Sequence, residues 1–323
     1  MKGTEANRAH GPRRLAAALL IAFTALVAGC SRPGPVTGVT SIKAANPAEL
    51  ERILLSRKPE LAQFRLRGPF PVEEREDLEI PVEAGLAVSA DLFLCARCGK
   101  GPLVIVLHGH LNSKDDHAWQ AMHLASWGMH GMTIQLPNEG PWIANGRTLA
   151  KLVTVIRRAP RIVDERVDPT RIIIAGHSFG ATAASAALGE GAPALAGILL
   201  DPAGIGRQLP ALLQRIKVPV MLIGADEDIW PTRNRGYFFR FVPGAVVEFS
   251  IRDAMHEDAQ YPTDRTARTF QEHPLATEEA QITFVSALTA AAFSLSATGG
   301  NDYAWNSFEA DFKSGRFFNG RRK

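Results

Sequence analysis

Apolar positions along this chain cluster into short unbroken runs separated by stretches with helical spacing. Leu103-Val104-Ile105-Val106-Leu107, Met132-Thr133-Ile134-Gln135-Leu136, Arg171-Ile172-Ile173-Ile174-Ala175, Ile198-Leu199-Leu200-Asp201, Val218 to Ile223 and Ala245 to Ile251 read as strands. Runs without polar alternation belong to strands covered on both faces, the condition of a parallel sheet between helical layers. Alternation appears earlier, in Leu86-Ala87-Val88-Ser89-Ala90-Asp91-Leu92-Phe93-Leu94, so Pro71 to Leu94 is expected to form antiparallel edge strands.

Between the strands lie helix signals. Asn46-Pro47-Ala48-Glu49 supplies a cap, a proline at the first position and an acid at the third, opening a short helix to about Lys58. Ser113 is expected to cap a helix from Lys114 to Trp127, closed by Gly128, and Asn145 a long helix toward Arg158. Further helices are expected over Leu209 to Ile216 and Glu278 to Leu295. The alternation predicts one α/β domain over residues 46–323, with a mostly parallel central sheet, helices on both faces and little or no lid.

The N-terminus reads differently. Lys2, Arg8, Arg13 and Arg14 precede an uncharged stretch from Leu15 to Val27, and Ala28-Gly29-Cys30 follows. A basic segment and a short apolar one form a secretory signal over residues 1–29, too short to remain as a membrane span. Leu26-Val27-Ala28-Gly29-Cys30 resembles a bacterial lipobox, which implies a lipid on Cys30 and a tether over residues 30–45. The alternative is ordinary signal cleavage with an incidental cysteine. The chain carries 36 basic and 33 acidic residues, net +3, and residues 1–29 hold four basics and Glu5, also net +3. The mature chain is therefore close to neutral. Apart from a basic end (Lys313, Arg316, Arg321, Arg322, Lys323), read as solvated, nothing points to nucleic acid. Cys95 and Cys98, in an exported chain with no second C-x-x-C, are expected to close a local disulfide.

Candidate chemistry centres on Gly176-His177-Ser178-Phe179-Gly180, between the apolar run at Arg171 to Ala175 and the small-residue stretch Ala181 to Ala187. Strand, sharp turn and helix in that order form a nucleophile elbow, whose serine sits on a strained turn between residues without bulk. A serine hydroxyl needs a base and a third group that orients the base. Working residues of open α/β sheets lie past the carboxyl ends of strands. Asp226 and Asp228 follow the strand at Val218 to Ile223, Asp201 ends the strand before it, and His256 follows Ile251. Asp201 also reads as a strand-end cap of the Pro202-Ala203-Gly204 turn. His177 is expected to pack within the elbow, and His273 to lie on a surface loop before Pro274. The spacing of His108, His110, Asp115, Asp116 and His117 does not match a metallo-hydrolase ligand set, and no metal or cofactor is expected. Trp142, Trp230 and Phe179 fall on loops of one edge, where they either wall a pocket or anchor the loops.

Over Val72 to Leu295 the chain resembles the α/β-hydrolase superfamily, within it the lid-poor dienelactone-hydrolase-like, chlorophyllase-like and bacterial cutinase-like enzymes. The resemblance is carried by His108-Gly109, Asp168-Pro169-Thr170-Arg171, Gly176 to Gly180, Leu200-Asp201-Pro202 and Gly224-Ala225-Asp226-Glu227-Asp228-Ile229-Trp230-Pro231. It implies Ser178 as nucleophile, His256 as base and Asp228 as acid, with Asp226 and then Asp201 as alternatives. It also implies backbone oxyanion donors at Phe179 and at His110, or else Leu111. The last stretch is similar to a Gly-Ala-x-x-Asp segment, one residue shorter before the proline. The implied activity is cleavage of small carboxylic esters by an enzyme anchored to the bacterial cell envelope, touching membrane through its lipid alone. The alternatives are a peptidase or lactonase with the same triad, or a non-catalytic interaction protein on a hydrolase scaffold.

Overall fold

The computed structural model describes residues 39–226, 235–261 and 278–323. Among them nine strands form one sheet in the order β1-β2-β4-β3-β5-β6-β7-β8-β9. The strands are β1 (Val72–Glu83), β2 (Leu86–Cys95), β3 (Gly101–Leu107), β4 (His130–Gln135), β5 (Val167–His177), β6 (Ala196–Leu200), β7 (Val220–Gly224), β8 (Val246–Ile251) and β9 (Phe317–Arg322). β1 pairs antiparallel with β2, and β2 with β4; the central strands from β4 to β8 run parallel; β9 closes the far edge antiparallel to β8. The buried central runs thus produce the mostly parallel sheet that the apolar pattern predicts, with β1 and β2 antiparallel at one side, although β2 lies inside the sheet and is continuously buried from Ala90 to Cys95. The two cysteines at the end of β2 are joined as Cys95–Cys98.

The helices follow in chain order. They are α1 (Pro47–Leu55), α2 (Leu61–Phe64), α3 (Ala118–Ser126), α4 (Trp142–Arg158), α5 (Phe179–Gly189), α6 (Leu209–Leu213), α7 (Arg235–Phe241), α8 (Glu278–Thr298), α9 (Asp302–Ser307) and α10 (Glu309–Lys313). Successive strand residues face opposite layers. Val104 and Val106 of β3 with Ile173 and Ala175 of β5 pack in the layer that holds Phe284, Leu288 and Leu295 of α8. Leu103, Ile105, Leu107, Ile172 and Ile174 pack in the other, against Leu149, Val153 and Ile156 of α4 and Ala184 and Ala187 of α5. Each fully buried Leu, Ile or Phe contributes about 1.5–3 kcal/mol, and the two layers hold the strand ends in a fixed row. α8 is long and apolar enough to cross a membrane by length and composition, yet most of it is buried within this core.

Two expectations are corrected and one is refined. The helix expected at Asn145 begins one turn earlier, at Trp142, with Pro141 in extended geometry at its N-cap. Asn145 lies inside it, and its Nδ2 donates to the Pro137 carbonyl at 2.8 Å. Ser113 caps as expected, but the first turn behind it, Lys114–His117, is a 3-10 helix. The basic side chains at the C-terminus are exposed as expected, but the segment that carries them pairs as an edge strand: Phe317 is buried against Phe249 and Phe308, and Arg321 Nε donates to Glu248 at 2.6 Å. An aromatic residue facing the core and arginines facing solvent suit a terminal edge strand.

Candidate active site

The elbow is built by close approach. Ser178 links β5 to α5 with φ 54 and ψ −126, a strained left-handed conformation. A Cβ on Gly180 would stand 2.3 Å from the His108 carbonyl oxygen, and one on Gly176 2.5 Å from that of Gly180. Any side chain at either position would push β3, β5 and α5 apart. Ser178 N–H donates to the Leu200 carbonyl and its own carbonyl accepts from Ala203, so the elbow is tied to β6 and the loop after it.

His256 enters from the loop after β8, at the first residue of a 3-10 turn, His256–Ala259. Its Nε2 lies 2.9 Å from Ser178 Oγ and its Nδ1 2.6 Å from Asp201 Oδ2. A carboxylate only accepts, so the ring proton sits on Nδ1 and Nε2 is left to accept from the serine hydroxyl. Asp201 is fully buried at the end of β6, with φ 34. Its Oδ1 accepts from the Ala225 N–H at 2.8 Å and from Arg235 Nη1 at 3.1 Å. The expected cap on Pro202-Ala203-Gly204 is not made, because both carboxylate oxygens turn toward β7 and His256.

The assignment of the acid to Asp228 falls outside the described residues, as do Cys30, Trp230 and His273. Asp226, the second candidate, accepts from the Asp253 N–H at 2.9 Å and lies 3.9 Å from Arg252. Among the described residues the carboxylate at His256 Nδ1 is that of Asp201. The sequence could not choose among them, because two neighbouring strands each end in aspartate and register decides which end reaches the histidine.

Histidines crowd the underside. The His177 ring lies 4.6 Å from that of His256, and its Nε2 donates to the His256 carbonyl at 3.1 Å. Burial holds the His177 ring well below the usual histidine range, and the neighbouring His256 and His117 rings would oppose its protonation further. Burial likewise lowers His108, and lowers His117 to about 4. His108 Nδ1 donates to the Gly109 carbonyl at 2.8 Å while its Nε2 accepts from the Leu136 N–H at 3.2 Å, and His117 is held by Gln120. These rings stay neutral at neutral pH.

A cavity of about 700 Å³ opens above Ser178 and His256. Trp142 and Phe179 wall it together with His110, the rings 5.9 Å apart in the Trp142–Phe179 and His110–Phe179 pairs. Ile143 and Ile205 continue the apolar wall, and Glu139 and Glu257 lie at its polar side. Burial raises Glu257 above the usual carboxyl range. Sequence reasoning missed Ile205, Glu257 and Arg235, none of which belongs to a recognisable pattern. The N–H of Phe179 is the first of α5, which its own helix cannot satisfy. That of Leu111 already donates to the Asn138 carbonyl at 2.9 Å.

Residues 103–310 match the model of the family described as "Alpha/beta hydrolase family", more than half of the chain, and the protein belongs to that family. No curated protein matches the chain significantly. Membership shows a hydrolase on this fold.

Proposed function

We propose that this family member is a serine hydrolase that cleaves carboxylic esters through an acyl-enzyme on Ser178. The observation that carries the reading is the contact series from Ser178 Oγ to His256 Nε2 (2.9 Å) and from His256 Nδ1 to Asp201 (2.6 Å), at the floor of the apolar cavity. Within the family we place it with the lid-poor dienelactone-hydrolase-like, chlorophyllase-like and cutinase-like enzymes, on the motifs quoted above.

In this reading Ser178 Oγ attacks the ester carbonyl as its proton passes to His256 Nε2, and Asp201 stabilises the imidazolium that forms. The oxyanion is met by the backbone N–H groups of Phe179 and His110. His110 takes this role over Leu111 because the Leu111 N–H is already engaged. The imidazolium then protonates the departing alkoxide as the C–O bond breaks. A water molecule, losing its proton to the same histidine, releases the acid and restores Ser178. Trp142, Phe179, Ile143 and Ile205 fit an apolar acyl or aromatic group.

A fluorophosphonate probe tests the reading. Wild type is expected to label and to hydrolyse nitrophenyl esters, and Ser178→Ala to do neither. Labelling and ester turnover that survive Ser178→Ala would refute it, and turnover of peptides in preference to esters would move it to the peptidase alternative.

We also propose export and lipid attachment at Cys30, on the charge pattern and on Ala28-Gly29-Cys30. Cys30→Ser is expected to move the protein from the membrane fraction to the soluble one; retention in salt-washed membranes would overturn this.

A further inference from the structure

We propose that Arg235 is a positioning residue of the catalytic centre, a fixed guanidinium that shares the Asp201 carboxylate with His256 and thereby sets the pH at which the histidine is free to act as base. The inference rests on the serine-hydrolase reading above. It goes beyond the triad, because Arg235 contributes no group that touches substrate.

Two independent observations place the guanidinium. Arg235 Nη1 donates to Asp201 Oδ1 at 3.1 Å and to the Ala225 carbonyl, and its side chain is largely buried. Separately, Gly224 at the end of β7 leaves the space the arginine occupies: a Cβ there would stand 2.2 Å from Arg235 Nη1 and 2.3 Å from its Cδ. The carboxylate is thus held by three donors from three segments. Ala225 N–H and the guanidinium take Oδ1, and Oδ2 is aimed at His256 Nδ1.

The electrostatic consequence follows from sharing. A buried carboxylate facing an imidazole favours the protonated ring, which cannot accept the serine proton. A guanidinium on the other oxygen keeps its charge throughout the working pH range and offsets part of that pull. Other groups near His256 do not substitute for it. His177, beneath the ring, is kept neutral by burial, as are His108 and His117 behind it. Glu257 beside it has its carboxyl raised by burial, with Asp116 contributing. Asp226 is engaged with the Asp253 N–H and lies near Arg252 on the outer side of the loop. Among the described residues, Arg235 is the side chain other than His256 that donates to Asp201.

The test is the pH profile of kcat/KM on a neutral nitrophenyl ester for wild type, Arg235→Met, Arg235→Lys and Gly224→Ala. Arg235→Met is expected to move the acidic limb upward by about one pH unit, the order of a single nearby charge, and to lower kcat about ten-fold through a less well aimed carboxylate. Arg235→Lys keeps the charge and is expected to hold the limb near wild type while kcat falls. Gly224→Ala leaves the arginine in the chain but displaces it, so it is expected to move the limb as Met does, which preserves the test should Arg235→Met not fold. Profiles of Arg235→Met and Gly224→Ala with the wild-type limb, in folded protein, would overturn the inference. So would an equal shift in Lys and Met. Ester hydrolysis surviving Ser178→Ala would instead remove the hydrolase reading beneath it.

Discussion

The nucleophile and the acid of this site are held in place by different kinds of structure. The elbow is local: β5, Ser178 and the start of α5 are contiguous, and two glycines permit backbones to pass within van der Waals distance. The acid is set from afar. Asp201 ends β6, is fixed by Ala225 past β7 and Arg235 at the head of α7, and meets a histidine from beyond β8. Steric fit specifies the first, and charge and hydrogen bonding specify the second.

The comparison can be broken most severely on the elbow side. Gly180→Ala would place its Cβ against the backbone carbonyl of His108, an atom that cannot swing away. Overpacking of this kind is expected to cost about 3 kcal/mol or more, with loss of Ser178 labelling. A Gly180→Ala protein with unchanged melting temperature and activity would show that steric fit does not define the elbow.

Acid perturbs a different part of the molecule, the buried rings. His117 is buried and held at about 4, and His123 and His130 are lowered to the same value by burial. Between about 6.5 and 4 the unfolded chain binds protons at these sites that the folded one does not, so stability falls as pH falls through that window. Each such histidine contributes about 1.4 kcal/mol per pH unit within it. Thermal melts at a series of pH values are expected to show the midpoint dropping steeply below about pH 6.5; a flat midpoint down to pH 4.5 would contradict the burial of these rings.

The smallest effect sharpens the acid side. Asp226 binds the Asp253 N–H at the rim and makes no contact with His256, so Asp226→Asn is expected to change kcat/KM by less than about three-fold, as for a loop hydrogen bond outside the triad. A loss of several orders would return Asp226 to the triad.

This contrast also explains what the sequence could disclose. The elbow is legible because its motif is contiguous and its glycines follow from local sterics. The central strands are legible because runs such as Ile172-Ile173-Ile174 have one plausible burial, on both faces. The acid was not, since choosing among Asp201, Asp226 and Asp228 depends on sheet register and on an arginine distant in the chain. Pro141 at an N-cap and the edge strand β9 were missed for a similar reason. Helix α4 starts a turn earlier at the buried Trp142, and the basic tail hid an aromatic core contact at Phe317.

The central claim, that the acid stands after β6, is tested most directly by kcat on one nitrophenyl ester for Asp201→Asn and Asp228→Asn, each checked for folding. Loss of the orienting carboxylate lowers turnover by about four powers of ten in triad enzymes. The account predicts that loss for Asp201→Asn and near wild-type turnover for Asp228→Asn. The reverse result would place the acid after β7 and contradict it.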